Sequence, residues 1–153
     1  LIELLVVVAI LGVLSAVGIV SYAGYIAGSK QNAAESTMQQ ISLAQTEEYS
    51  NTSEYYTQTE CGSVEKTGDA YTFTGSTPTK ETTKDLAVYL FGDEAIIDKT
   101  LEYEMCVSKT GTTFAVIAFN KNASKEGCLV QLSALGAWTR GPGEYDCPRD
   151  MDD

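Results

Sequence analysis

The chain begins with an apolar run that is long enough to cross a membrane. Between Leu4 and Val20 the only polar side chain is Ser15, and apolar or small residues continue as far as Ala27. At about 1.5 Å per residue, 24 helical residues reach roughly 36 Å, whereas the hydrocarbon core of a bilayer is about 30 Å thick. The segment can therefore span a bilayer.

The residues that follow favour continuation of the same helix. The first proline is Pro78, and a secretory signal peptide is disfavoured because the run lacks a basic n-region and an Ala-x-Ala site. Apolar residues at helical spacing form one stripe: Ala34, Met38, Ile41 and Ala44. We predict one helix from Leu1 to about Ser50, roughly 75 Å long. It is apolar all round over residues 1–27 and apolar on one side over residues 28–50.

Small residues recur in this helix at spacings that suit contact with another helix. Gly12 with Ala16, and Gly24 with Gly28, each form a small-xxx-small pair. Small side chains let helix backbones approach closely in a membrane, where no hydrophobic difference drives association. Glycine is also common in membrane helices generally, so the pattern alone is a weak indication that the helix packs against its own copies.

Glu3 is the only charged side chain before Lys30. A carboxylate in hydrocarbon costs on the order of 2–3 kcal/mol, and the helix macrodipole recovers about 0.3–1 kcal/mol for an acid in the first turn. Glu3 is thus either an ordinary helix-end charge at the headgroup level or an acid that needs a cation in an assembled state. The apolar segment has no basic side chain, so in the second case the cation is the α-amino group of a neighbouring chain.

The sequence after the helix predicts a globular head over residues 51–153. Its first part is a long Thr-rich connection with at most one short strand, near Tyr71–Thr74. Residues 84–98 favour a short helix that turns Leu86, Leu90 and Phe91 inward, although the valine and tyrosine in this segment suit a strand as well. Three strands follow, at residues 101–108, 112–121 and Cys128–Leu132. One face of the first strand carries alternating apolar residues: Leu101, Tyr103, Met105 and Val107. We predict an α+β fold in which a small antiparallel sheet packs on the second half of the helix.

Four cysteines lie in the head, at positions 61, 106, 128 and 147. None forms a CxxC pair, and a Cys/His zinc site cannot be built because the chain has no histidine. An even number behind a membrane segment favours two disulfides in an oxidising compartment over free buried thiols in the cytosol. Of the three possible pairings we favour Cys61–Cys106 with Cys128–Cys147, the second of which would close a short C-terminal loop.

Charge and composition argue against several classes of function. The net charge is −11, and all of it except Glu3 lies after residue 27, so the head should repel nucleic acids. The missing histidine removes the commonest general base, and neither a nucleophile constellation nor a phosphate loop is recognisable, so we predict no catalysis and no cofactor. The acidic tail, with Asp146, Asp150, Asp152 and Asp153, lacks EF-hand spacing. We predict a solvated tail there and no metal.

The stretch Leu1–Leu11, LIELLVVVAIL, resembles the N-terminal segment of type IV pilins, and the likeness covers roughly the first 25 residues. In that family Phe and Thr precede the matching Leu, and many members carry a helix-kinking proline in the apolar segment; this sequence shows neither. Any local weakening of the helix would therefore fall at Gly12, Gly18 and Ser21. The resemblance implies that Glu3 is recognised during processing and pairs with the N-terminal amine of an adjacent subunit.

The resemblance further implies a function. The chain would be the major pilin of a type IV pilus, an extracellular filament used for adhesion, motility or DNA uptake. Its partners would be copies of itself, the inner membrane before assembly, the pilus assembly machinery and a prepilin peptidase. The alternative within the family is a pseudopilin of a type II secretion system. A single-span enzyme or receptor is a third possibility, which the missing histidine disfavours.

Overall fold

The computed structural model describes residues 1–67, 70–97, 99–120, 122 and 128–140. In this part of the chain a long N-terminal helix carries a head with a second helix and two antiparallel sheets, which confirms the predicted α+β fold. In chain order the elements are α1 Ile2–Thr52, β1 Ser63–Thr67, β2 Ala70–Thr74, α2 Lys80–Phe91, β3 Glu104–Thr110, β4 Thr113–Asn120, β5 Cys128–Ser133 and β6 Trp138–Arg140.

Helix α1 runs without a break past the predicted end at Ser50. It stops where Ser53 adopts a left-handed conformation with φ 64°, and the Ser53 N–H donates to the Tyr49 carbonyl at 2.8 Å. The residues that could weaken it, Gly12, Gly18 and Ser21, lie within continuous helix. The head therefore starts at residue 53, close to the predicted boundary.

The stripe by which α1 faces the head differs at its end from the predicted one. Ala34, Met38 and Ile41 are buried as expected, but Ala44 is only half-buried and Gln45 takes the next core position. Counted from Ile41, both Ala44 (i+3) and Gln45 (i+4) could continue the stripe. The segment after the helix covers the side on which Gln45 lies. Gln31 is also fully buried, so the core-facing stripe begins and ends with a glutamine.

The four-stranded sheet has the order β3-β4-β5-β6 with every neighbouring pair antiparallel. Its register pairs Met105 with Ala118 and Ala118 with Val130, so these three side chains share a face. That face packs on α1 in one cluster with Met38 and Ile41. The second half of the helix thus forms one wall of the main core, as predicted.

The opposite face of the sheet is also covered, by the β1–β2 hairpin. Cys106, Ile117 and Leu129 are fully buried there, with Cys61 and Phe73 packed against them. The prediction of at most one strand in this connection was wrong. Strand β1 contains a single apolar residue and so carries no alternation to detect; pairing with β2 keeps it in place.

Two glycines allow the base of this hairpin to close. A Cβ added at Gly62 would lie 2.6 Å from the Thr74 carbonyl oxygen, and one added at Gly75 would lie 2.7 Å from the Gly62 Cα. Gly75 has φ 103°, which is strongly disfavoured for other residues. The Gly62 N–H donates to the Ser76 carbonyl at 3.0 Å, so the two chain segments lie side by side.

Helix α2 begins four residues before the segment in which a helix was predicted. Thr79 caps it in a reciprocal arrangement with Thr82, and Gly92 ends it with φ 74°. Leu86 is fully buried, whereas Leu90 and Phe91 are partly buried against the core, which agrees with the predicted inward face. The start of α2 was not predicted because its capping residues lie in a Thr-rich segment, and threonine is equally typical of loops.

The outer edge of β3 is occupied by side chains rather than by another strand. The Met105 N–H donates to Thr83 Oγ1 at 2.8 Å, and the Val107 N–H donates to Gln58 Oε1 at 3.2 Å. Leu101 lies in a short 3-10 helix, Lys99–Leu101, so the strand predicted from residue 101 begins only at Glu104. These contacts protect an edge strand from pairing with another chain.

Candidate functional site: the apolar half of α1 and its junction with the head

The apolar half of α1, residues 1–27, stands clear of the head over almost its whole length. All described side chains of residues 1–19 and 21–25 are exposed. By length and composition the helix could cross a membrane, and a signal segment near an N-terminus would satisfy the same criteria. An exposed apolar surface of this extent is typical of a segment that contacts lipid or another protein.

Glu3 lies in the first turn of α1, next to the positive end of the helix dipole. Its side chain is exposed, and none of the salt bridges among the described residues includes it. The carboxylate is therefore available to a partner outside this chain.

The small residues named as candidate contact positions, Gly12, Ala16, Gly24 and Gly28, all lie within α1. A Cβ added at Gly12, Gly24 or Gly28 would meet nothing within 4 Å. The backbone at these positions is thus open to close approach by another helix, and no contact within the described head explains the glycines.

The two serines of the apolar half satisfy their hydroxyl groups within the helix. Ser15 Oγ donates to the Leu11 carbonyl at 2.7 Å, and Ser21 Oγ donates to the Val17 carbonyl at 3.2 Å. This removes the cost of placing a free hydroxyl in hydrocarbon. The serines therefore fit a lipid-covered or helix-covered segment.

A cavity of about 330 Å³ lies where the apolar half meets the head; we call it the junction cavity. Ala23, Ile26 and Ala27 line it from the apolar half. At its polar end Lys30 Nζ and a carboxylate oxygen of Glu102 form an ion pair of 2.8 Å. Glu102 has φ 62°, an uncommon conformation for a residue other than glycine.

A second ion pair joins α1 to the last strand of the sheet. Arg140 donates to Glu35 Oε1 at 2.7 Å, and both side chains are mostly buried. Gln31 Nε2 donates to the same oxygen at 3.3 Å. Burial raises the pKa of Tyr103 to about 12, with a further contribution from the negative charge of Glu35.

Sequence reasoning missed these polar contacts, although one signal was present. Lys30 is the first basic residue after the apolar run, which marks it as a boundary residue. Gln31 precedes Ala34 by three residues and so continues the stripe. Glu35 and Arg140 are 105 residues apart in sequence, and nothing local relates them.

The disulfide Cys61–Cys106 is present, with the two Cα atoms 5.7 Å apart, and it ties the start of the β1–β2 hairpin to the sheet. Cys128 is disulfide-bonded as well. Its predicted partner, Cys147, lies outside the described residues, as do the tail residues Asp146, Asp150, Asp152 and Asp153. In the described part of the chain, no group of three or more acidic or cysteine side chains could hold a metal ion.

Comparisons of the chain with family models, curated proteins and solved structures find no match.

Proposed function

We propose that this chain is a structural subunit, the major pilin of a type IV pilus, which polymerises through the apolar half of α1. The observation that carries the proposal is the contrast within a single helix. Residues 1–25 are exposed on every side wherever described, whereas Gln31, Met38 and Ile41 are fully buried against the head. The first half of α1 is therefore built for a partner outside the chain.

The proposed mechanism exchanges one apolar environment for another. In the inner membrane the apolar half is covered by lipid, and in the filament it is covered by the same helix of neighbouring subunits. The exchange changes the hydrophobic free energy little, so close packing at small residues such as Gly12 and Ala16 contributes to the preference for the filament. Heads remain outside, where their acidic surface keeps the fibre soluble.

Glu3 guides this exchange in the proposed mechanism. In lipid its carboxylate is costly, and in the filament the α-amino group of an adjacent subunit neutralises it. The exposed first-turn position supports this role, together with the resemblance of LIELLVVVAIL to the pilin N-terminus. The same resemblance proposes a prepilin peptidase and the pilus assembly machinery as further partners.

The head suits a fibre that is exposed outside the cell. Its sheet is covered on both faces, and the disulfide Cys61–Cys106 fixes the outer hairpin. A covalent link of this kind requires an oxidising compartment. These features support an extracellular location for the assembled subunit and an inner-membrane location before assembly.

The test is electron microscopy of filaments sheared from cells that express this chain as wild type, as Glu3→Ala and as Glu47→Ala. Glu47 is an exposed acid on the same helix and controls for loss of one negative charge. Long fibres in the wild type and the Glu47→Ala variant, with none for Glu3→Ala, would support a pilin in which Glu3 acts in assembly.

The other outcomes separate the alternatives. Fibres in all three strains would support the pilin proposal and show that Glu3 is an ordinary helix-end charge with no role in assembly. Protein held in the inner membrane without surface fibres in any strain would favour a pseudopilin of a type II secretion system, whose filament is short and periplasmic.

A further inference from the structure

The junction cavity combines an apolar wall with an opposed pair of charges. Ala23, Ile26 and Ala27 lie on the side of the apolar half, and Lys30 with Glu102 lies on the side of the head. The lining thus changes from apolar to charged along the axis of α1, over two helical turns. A ligand that matches this lining has an apolar portion at one end and a charged portion at the other.

In the proposed membrane-spanning state, the cavity would lie level with the membrane surface. If residues 2–27 lie in the bilayer, they extend roughly 39 Å, which exceeds the hydrocarbon thickness of about 30 Å and reaches the headgroups. Tyr22 and Tyr25, both exposed, lie in the last turns of that segment, where aromatic side chains favour the interface. Lys30 and Glu102 then stand at the level of the lipid headgroups.

The ion pair at this level retains capacity for further contacts. A second cavity of about 530 Å³ lies against the same two residues, with Ser29, Ala33 and Thr100 in its wall. The Lys30 and Glu102 side chains are 29% and 45% exposed. An ammonium has three donors and a carboxylate several acceptor positions, so each can bind a second partner without breaking their mutual contact.

The other described polar residues that line the junction cavity are neutral. Tyr103 and Asn120 line it, and the raised pKa of Tyr103 keeps its hydroxyl protonated at physiological pH. Asn122 completes the polar lining, with its N–H donating to Asn120 Oδ1 at 2.8 Å. Among the lining residues that the structure describes, the charges available to a ligand are therefore one positive and one negative, side by side.

We propose that the junction cavity binds one phosphatidylethanolamine molecule of the membrane leaflet next to the head. The phosphate would accept hydrogen bonds from Lys30, the headgroup ammonium would donate to Glu102, and an acyl chain would lie along Ala23, Ile26 and Ala27. A primary ammonium is the feature that Glu102 selects, because the quaternary ammonium of phosphatidylcholine cannot donate a hydrogen bond. The inference rests on the proposed membrane-spanning state of the unassembled subunit.

This site gives the lipid a place in assembly. The subunit must leave the bilayer to enter a filament, and the bound headgroup is then lost or carried along. Either result makes the junction a point at which the composition of the membrane affects extraction of the subunit.

The test is native mass spectrometry of the full chain released from vesicles that contain equal amounts of phosphatidylethanolamine, phosphatidylcholine and phosphatidylglycerol. We expect one retained phosphatidylethanolamine per chain, enriched about fivefold over the other two lipids. Lys30→Gln and Glu102→Gln should each abolish the enrichment. Lys84→Gln and Glu94→Gln, which break another 2.8 Å ion pair on α2 and the segment after it, should leave it unchanged.

Circular dichroism of each variant checks that the head remains folded, and Glu102→Asp, which keeps the carboxylate, should retain part of the enrichment. Equal retention of all three lipids, or a preference for phosphatidylglycerol that survives Glu102→Gln, would overturn the site. A chain that is not retained by vesicles of any composition would instead overturn the membrane-spanning proposal, and this inference with it.

Discussion

The side chain of Gln45 forms two hydrogen bonds with the backbone of Tyr56. Its Nε2 donates to the Tyr56 carbonyl at 2.8 Å, and its Oε1 accepts from the Tyr56 N–H at 2.9 Å. Gln45 is fully buried, so these contacts replace the water that both partners would otherwise bind. The two hydrogen bonds hold the segment after α1 against the helix.

We expect Gln45→Leu to destabilise the head by about 2–3 kcal/mol, because two partly buried backbone groups of Tyr56 lose their partner. The measurement is the midpoint of urea unfolding of the detergent-solubilised full chain, monitored by circular dichroism. Gln40→Leu is the control, since Gln40 is exposed on the same helix. A shift of similar size in both variants would show that the hydrogen bonds contribute nothing specific.

The ion pair between Glu35 and Arg140 should couple α1 to β6 energetically. Breaking a mostly buried pair leaves one charge without compensation, so Glu35→Gln and Arg140→Gln should each cost about 2–3 kcal/mol. The double variant should cost less than the sum, with a coupling of about 1 kcal/mol or more in a double-mutant cycle.

The control for this cycle is the exposed pair Lys84–Glu94, which has the similar distance of 2.8 Å. Its charges are screened by solvent, so the corresponding cycle should show no measurable coupling. Additive effects of Glu35→Gln and Arg140→Gln would mean that the two side chains contribute to stability independently.

Tyr103 should make the fold sensitive to strongly alkaline pH. Burial, followed by the Glu35 charge, raises its pKa to about 12, while Arg140 and a hydrogen bond with Asn120 act in the opposite direction. Because the folded pKa exceeds the unfolded value of about 10, the contribution to stability is complete below pH 10 and is lost as the pH rises through about 12. We expect a loss of about 1–2 kcal/mol across this window.

Tyr103→Phe should remove this part of the alkaline transition, which urea titrations at several pH values would detect. Tyrosinate absorbance provides a second readout, since Glu35→Gln should lower the pKa of Tyr103 by removing the nearby negative charge. An alkaline unfolding profile identical in wild type and Tyr103→Phe would contradict the prediction.

Loss of the disulfide Cys61–Cys106 should weaken the head substantially. The link spans 45 residues, and constraining an unfolded chain over such a loop corresponds to about 4 kcal/mol in the chain-entropy description. We therefore expect Cys61→Ser with Cys106→Ala to lower the unfolding free energy by about 2–4 kcal/mol. Proteolysis should then cut first within residues 57–78, because the hairpin is no longer tied to the sheet. An unchanged cleavage pattern would show that packing of Phe73 is enough to hold the hairpin on the sheet.

Much of the architecture was predictable from local patterns. The lack of proline and of a polar break over residues 1–50 predicts α1 to within two residues of its end. Alternation at Tyr103, Met105 and Val107 predicts a strand whose apolar face proves buried. The apolar segments at residues 112–121 and Cys128–Leu132 predict two more strands, which the structure contains. These elements were predictable because the periodicity of each is recognisable within about ten residues.

Other features depend on partners that are distant in sequence. Strand β1 and strand β6 are short and carry little apolar alternation, so only pairing defines them. Burial of Cys106 and Ser108 on the second face of β3 follows from the covering hairpin. Alternation along a strand predicts which of its faces is apolar. It does not predict whether another part of the chain covers the opposite face.

Local sequence patterns predicted an apolar segment over residues 1–27 with Glu3 as its only charged side chain, and a sheet packed on the second half of the helix. The packing of separate elements places Gln45 in the core position predicted for Ala44 and brings Lys30 next to Glu102 beside a cavity. These two kinds of feature differ in the range over which the forces that produce them act. Hydrophobic periodicity is set by neighbours along one helix or strand, whereas polar pairs depend on how separate elements meet.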